Sequence, residues 1–88
     1  MNTFEILIKE YKESSWKKYV SYFGQVNVRV SGIPNDIVTV IISLLGEEAG
    51  TNWLTSSNNL FDDKSINDLL QSKEGEHALK AFVMRMPN

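Results

Sequence analysis

The sequence predicts a mainly α-helical domain, a small helical bundle with a minor β element near residues 25–31. Three observations predict it. Apolar residues recur at helical spacing along most of the chain, most clearly at Gly75, Ala78, Leu79, Phe82, Val83 and Met86. Val26, Val28 and Val30 alternate with polar residues, the period of a half-buried strand. The length of 88 residues suits one domain with one modest core. We read it as a single domain over 1–88, with an N-terminal helix and strand region over 1–34 and a helical region over 35–88.

The N-terminal region is rich in aromatics: six of the nine lie within the first 23 residues. Phe4, Leu7, Ile8 and Tyr11 form one helical stripe, and Trp16, Tyr19, Val20 and Phe23 form a second. The stripes are one residue out of register at Ser14-Ser15. This predicts a kink or two short helices, over 3–13 and 15–23. Alternation at Phe4, Ile6 and Ile8 leaves a strand open for residues 4–9. Gly24 reads as a helix stop. The valine strand that follows needs a partner for its backbone groups, either residues 4–9 or the same strand of a second subunit. Ser31-Gly32-Ile33-Pro34 ends it.

Pro34 suits the first turn of a helix over 35–45, which presents Ile37, Val38, Ile41, Leu44 and Leu45 and stops at Gly46. A further helix from Glu47 to about Thr55 opens on two acids, favourable at the positive helix end. Ser56–Asn59 reads as a loop. Ser65 with Asp68 resembles a cap ahead of Ile66, Leu69 and Leu70. Pro87 closes the last helix. Trp53, Leu54, Leu60, Phe61, Leu69, Leu70, Leu79 and Phe82 are the residues such a bundle would bury.

The composition excludes several classes of function. The chain has no cysteine and one histidine. Disulfide scaffolds, thiolate metal sites and cysteine nucleophiles are therefore ruled out, as are sites needing two histidines. The longest apolar run, Ile37–Leu45, is far short of the ~20 residues of a membrane-spanning helix. Met1-Asn2-Thr3-Phe4-Glu5 has no basic leader pattern, so a cytoplasmic location is expected. Net charge is −2. A nucleic-acid role would rest on Lys9, Lys12, Lys17, Lys18 and Arg29, and none is expected from this balance.

The chemistry-bearing residues read as structural. His77 sits just off the apolar stripe of the last helix and has no evident acid–base partner. Residues 63–74 place Asp63, Ser65, Asn67, Gln71 and Glu74 at calcium-loop positions, but Asp68 occupies the position that needs glycine. The same stretch reads better as a capped helix. Trp16-Lys17-Lys18-Tyr19 puts its aromatics on one face and its lysines off it, the pattern of an amphipathic helix. Glu47-Glu48 and Asp62-Asp63 read as helix-start and loop residues. No catalytic residue, cofactor site or metal site is expected.

A resemblance covers residues from about Ile37 to Pro87. Its features are Gly46, Ala49, Trp53-Leu54 and Asn58-Asn59-Leu60-Phe61, then Ser65-Ile66-Asn67-Asp68-Leu69-Leu70, Glu74-Gly75 and Ala78-Leu79. In order and spacing this stretch resembles the toxin-binding domain of Xre/MbcA/ParS-type antitoxins. Ile66 stands where the family usually carries proline. The resemblance implies a small helical protein, often dimeric, from a bacterial toxin–antitoxin system. Such a protein is no enzyme; it neutralises a RES-domain toxin by occluding its active site, largely through its C-terminal region. The partner-binding surface would be what the packed bundle leaves around the last helix and tail: Lys80, Met84, Arg85, Met86, Pro87 and Asn88. The rival reading is a small homodimeric structural or regulatory protein without a toxin partner.

Overall fold

The computed structural model describes residues 2–86. Pro87 and Asn88, two of the candidate partner-binding residues, lie outside the described residues. The chain runs α1 (Thr3–Glu10), α2 (Glu13–Val20), α3 (Asn35–Leu45), α4 (Glu47–Thr55), β1 (Asn59–Phe61), β2 (Lys64–Ser65), α5 (Ile66–Leu69) and α6 (Lys73–Met84). The mainly helical class holds, and the β element is a two-stranded antiparallel hairpin.

The N-terminal register slip resolves into two helices. Tyr11 and Lys12 take extended backbone between them. No strand forms over 4–9; those residues belong to α1, which Asn2 caps by accepting from the Glu5 N–H. The second helix stops at Val20, earlier than the sequence predicts. Tyr22 and Phe23 continue only as turn, with their N–H groups donating to Tyr19 and Val20. Gly24 therefore lies beyond the helix end rather than at it.

The β element is not where valine alternation puts it. Val26, Val28 and Val30 are half-buried and pack on the core, while Asn27 and Arg29 between them, and Gln25 before them, are exposed. Alternating burial is thus realised, but the segment bends at Asn27 and pairs with no strand among the described residues. The hairpin instead joins Asn59–Phe61 to Lys64–Ser65 through Asp62 and Asp63, both at positive φ (49° and 59°). That pair of left-handed residues is the turn whose twist matches a hairpin.

Helix α3 is the centre of the core. Ile37, Val38, Val40, Ile41 and Ile42 are all buried. Full burial of each such side chain stabilises by roughly 1.5–3 kcal/mol, and this offsets the modest helix propensity of a β-branched run. Gly46 sits at φ 90°, a conformation that costs other residues strain, and turns the chain directly from α3 into α4. Along α4, Gly50 and Leu54 are buried; a Cβ at Gly50 would lie 2.9 Å from the Ile42 side chain of α3. Helix α6 packs against α1, α2 and α5. Of the predicted core, Leu54, Leu69 and Leu79 are buried, whereas Trp53, Leu60, Phe61, Leu70 and Phe82 are half-buried at its margin.

Two local devices fix the entry to α6. Ser65 and Asp68 form a reciprocal capping box on α5. Ser72 then caps α6 by accepting from the Gly75 N–H at 3.0 Å. Gly75 is pressed against the end of α5: a Cβ there would stand 1.9 Å from the Leu69 carbonyl oxygen.

Candidate partner-binding surface

The C-terminal end of α6 holds the described candidate residues. The Arg85 N–H donates to Phe82 and the Met86 N–H to Val83, which closes the helix with a tight final turn. Arg85 is exposed, and its guanidinium pairs with the Glu10 carboxylate at the end of α1. Met84 and Met86 are half-buried and pack against the core, so each offers only part of its thioether side chain outward. Met84, Arg85 and Met86 therefore form a small contiguous surface joined to α1.

Lys80 does not belong to that surface. It is buried, at 6% exposure. Its ammonium lies 3.0 Å from Glu76 Oε1 and 3.7 Å from Asp36 Oδ2, and 5.5 Å above the Trp16 ring. Asp36 also accepts from the Trp16 indole N–H at 2.8 Å and from the Ile37 N–H at 2.9 Å. One carboxylate thus ties α2, α3 and α6 together and gives the buried ammonium a partner, which a buried charge requires. The periodicity of α6 puts Lys80 beside the apolar stripe but carries no sign of Asp36, which arrives from a distant helix.

The remaining polar residues serve the fold. His77 stacks on Tyr11, with ring centroids 4.2 Å apart. The Tyr11 hydroxyl donates to Glu13 at 2.9 Å. Partial burial, and then that carboxylate, push the Tyr11 phenol well above its ordinary range. Burial likewise raises Tyr19, whose hydroxyl has no partner among the described residues. Asp62 turns back onto α1 and accepts from the Phe4 N–H at 2.7 Å, while Lys64 sits over the Phe4 ring. The calcium-loop positions fall on separate elements: Asp63 in the hairpin turn, Ser65 at the cap of α5, Asn67 within α5, Gln71 between α5 and α6, and Glu74 in α6. Glu47 and Glu48 occupy the first turn of α4 and are exposed.

Among the described residues, no group of three or more histidine, aspartate or glutamate side chains is arranged to hold a metal ion. No described helix is long and apolar enough to cross a membrane. A surface concavity of about 240 Å³ lies between residues 25–29 and the Asn35 and Thr39 side of α3. Compared with known proteins, the chain matches no family model, no curated protein sequence and no solved structure.

Proposed function

We propose that this chain is a non-enzymatic protein-binding module of the antitoxin kind, one that neutralises a RES-type toxin by covering its active site. The observation that carries the reading is the order of elements over residues 35–84. A helix stops at Gly46. A second presents Ala49 and Trp53-Leu54. The Asn58–Phe61 stretch leads into a short capped helix over Ile66–Leu69, and a last helix follows with Gly75 in its first turn. The resemblance implies these pieces in this sequence. The partner surface in this reading is Met84, Arg85 and Met86, continued by Pro87 and Asn88. Lys80 supports that surface from within, because it holds α6 against α2 and α3. A cytoplasmic homodimer is part of the same proposal.

The test is co-expression with the reading frame adjacent to this gene. The expected result is a neighbour that arrests growth alone, is harmless with this protein, and co-elutes with it on a tag. Arg85→Ala should weaken co-elution while leaving the thermal unfolding midpoint within a few degrees, since an exposed ion pair is worth about 0–1 kcal/mol. A neighbour that is harmless or never binds overturns the reading.

One observation favours the rival, a homodimeric interaction protein without a toxin. Among the described residues, the backbone N–H groups of Gln25 to Arg29 donate to no backbone carbonyl. A second copy could supply the missing strand. A dimer that is lost when Val28 is replaced, together with a neighbour that is harmless or never binds, would move this reading ahead.

A further inference from the structure

The charge at the end of α6 is only partly engaged. A guanidinium carries five N–H donors in a planar fork. Arg85 contacts a described residue through Nη2 alone, which meets Oε2 of Glu10. Both side chains are about half exposed, at 53% and 49%. The backbone under Arg85 is fixed by the two closing hydrogen bonds to Phe82 and Val83. Half-buried Met84 and Met86 flank it with polarizable apolar surface. A guanidinium on a fixed stretch of backbone, with donors that meet no other described residue and with an apolar border, is suited to a carboxylate set in an apolar surface.

From this, and resting on the binding surface proposed above, we infer that the partner presents an acidic side chain to Arg85 and that Glu10 is its internal competitor. Glu10 holds the guanidinium in the free protein and yields it on binding. The exchange is cheap, because an exposed pair contributes little to stability. Arginine is required rather than a cation alone, because the fork reads the planar carboxylate in a way an ammonium does not.

The experiment measures binding of the tagged product of the adjacent reading frame to the wild type and to Glu10→Gln, Arg85→Lys and Arg85→Gln. Each would be titrated at low and high salt, with a thermal melt to verify folding. Glu10→Gln should bind about two- to fivefold more tightly at low salt, with the gain shrinking as salt screens the competitor. Arg85→Lys should lose most of the affinity that Arg85→Gln loses. Binding by Glu10→Gln equal to wild type overturns the competition. Arg85→Lys binding like wild type overturns the carboxylate recognition. If the wild type itself binds nothing, the antitoxin reading falls and this inference falls with it, an outcome distinct from either of the others.

Discussion

Residues 59–84 and residues 21–34 carry local signals of similar clarity and reach opposite outcomes. In the first stretch, Ser65, Asp68, Ser72 and Gly75 form the caps and helix start of α5 and α6, because a cap or a helical stripe is satisfied by neighbours three or four residues away. In the second, the valine alternation correctly states which side chains turn inward. It says nothing of what pairs with the backbone, because a strand's partner is non-local. Period-two burial is therefore a statement about one face, and a strand is a statement about two segments. The two-stranded element forms where no alternation announces it, through Asp62 and Asp63, a pair without the Asn-Gly or Asp-Gly signature of such turns.

The largest expected break falls on the α5–α6 junction. Gly75→Ala would raise helix propensity by about 1 kcal/mol in an isolated helix. Here the new methyl meets the Leu69 carbonyl oxygen, a backbone atom that no rotamer change can move. We expect a loss of about 3 kcal/mol or more by urea denaturation, at the top of the usual range for overpacking. A variant as stable as wild type would mean that α5 and α6 are not in this contact.

Next in size is Asp36→Ala, which removes one partner of buried Lys80 and the acceptor of the Trp16 indole. Breaking a fully buried pair costs ~3–5 kcal/mol. Asp36 is 37% exposed and Glu76 still reaches Lys80, so a loss of about 2 kcal/mol is expected here. Lys80→Met should cost less than Asp36→Ala, because it removes the buried charge instead of stranding it. Reversal of that order in paired denaturation curves would refute the interior role of Lys80. This contact also marks where the sequence stops being legible. The helix that carries Lys80 is plain from its stripe, but its position is decided by Asp36 and Trp16 on two other helices. The stripe of α6 alone places Lys80 at its edge and cannot show that Asp36 and Trp16 enclose it.

A smaller effect sharpens the same contrast at a site that was legible. Ser65→Ala removes the hydroxyl that accepts from the Asp68 N–H, at a cost of about 1 kcal/mol. The capping box also sets a pH dependence. The Ser65 backbone N–H, then the Ser65 side chain, hold the Asp68 carboxyl below its ordinary 3.8. A carboxyl lowered on folding contributes stability that is present above its unfolded value and is lost as pH falls through the folded one. The wild type should thus lose this contribution only below about pH 4. In Ser65→Ala the Asp68 carboxyl should titrate closer to 3.8, as followed by its side-chain carbon shift. An unchanged titration would show that the hydroxyl plays no part.

The least perturbing probe, in free energy, is amide hydrogen exchange across the two regions. Exchange requires a backbone N–H to be free of its hydrogen bond, so a group that has none needs no opening. Ala78, Leu79 and Ala81 sit within α6 and are buried, so their N–H groups should exchange only through large-scale unfolding. Val26, Asn27, Val28 and Arg29 should exchange near the unprotected rate, although Val26 and Val28 pack on the core. Side-chain burial and backbone protection are separate properties, and this segment has the first without the second. Slow exchange at Val28 would mean that its backbone is paired in solution. If that protection grew with protein concentration, the partner would be a second copy; if it did not, the pairing would lie within one chain and the alternation would be a strand after all.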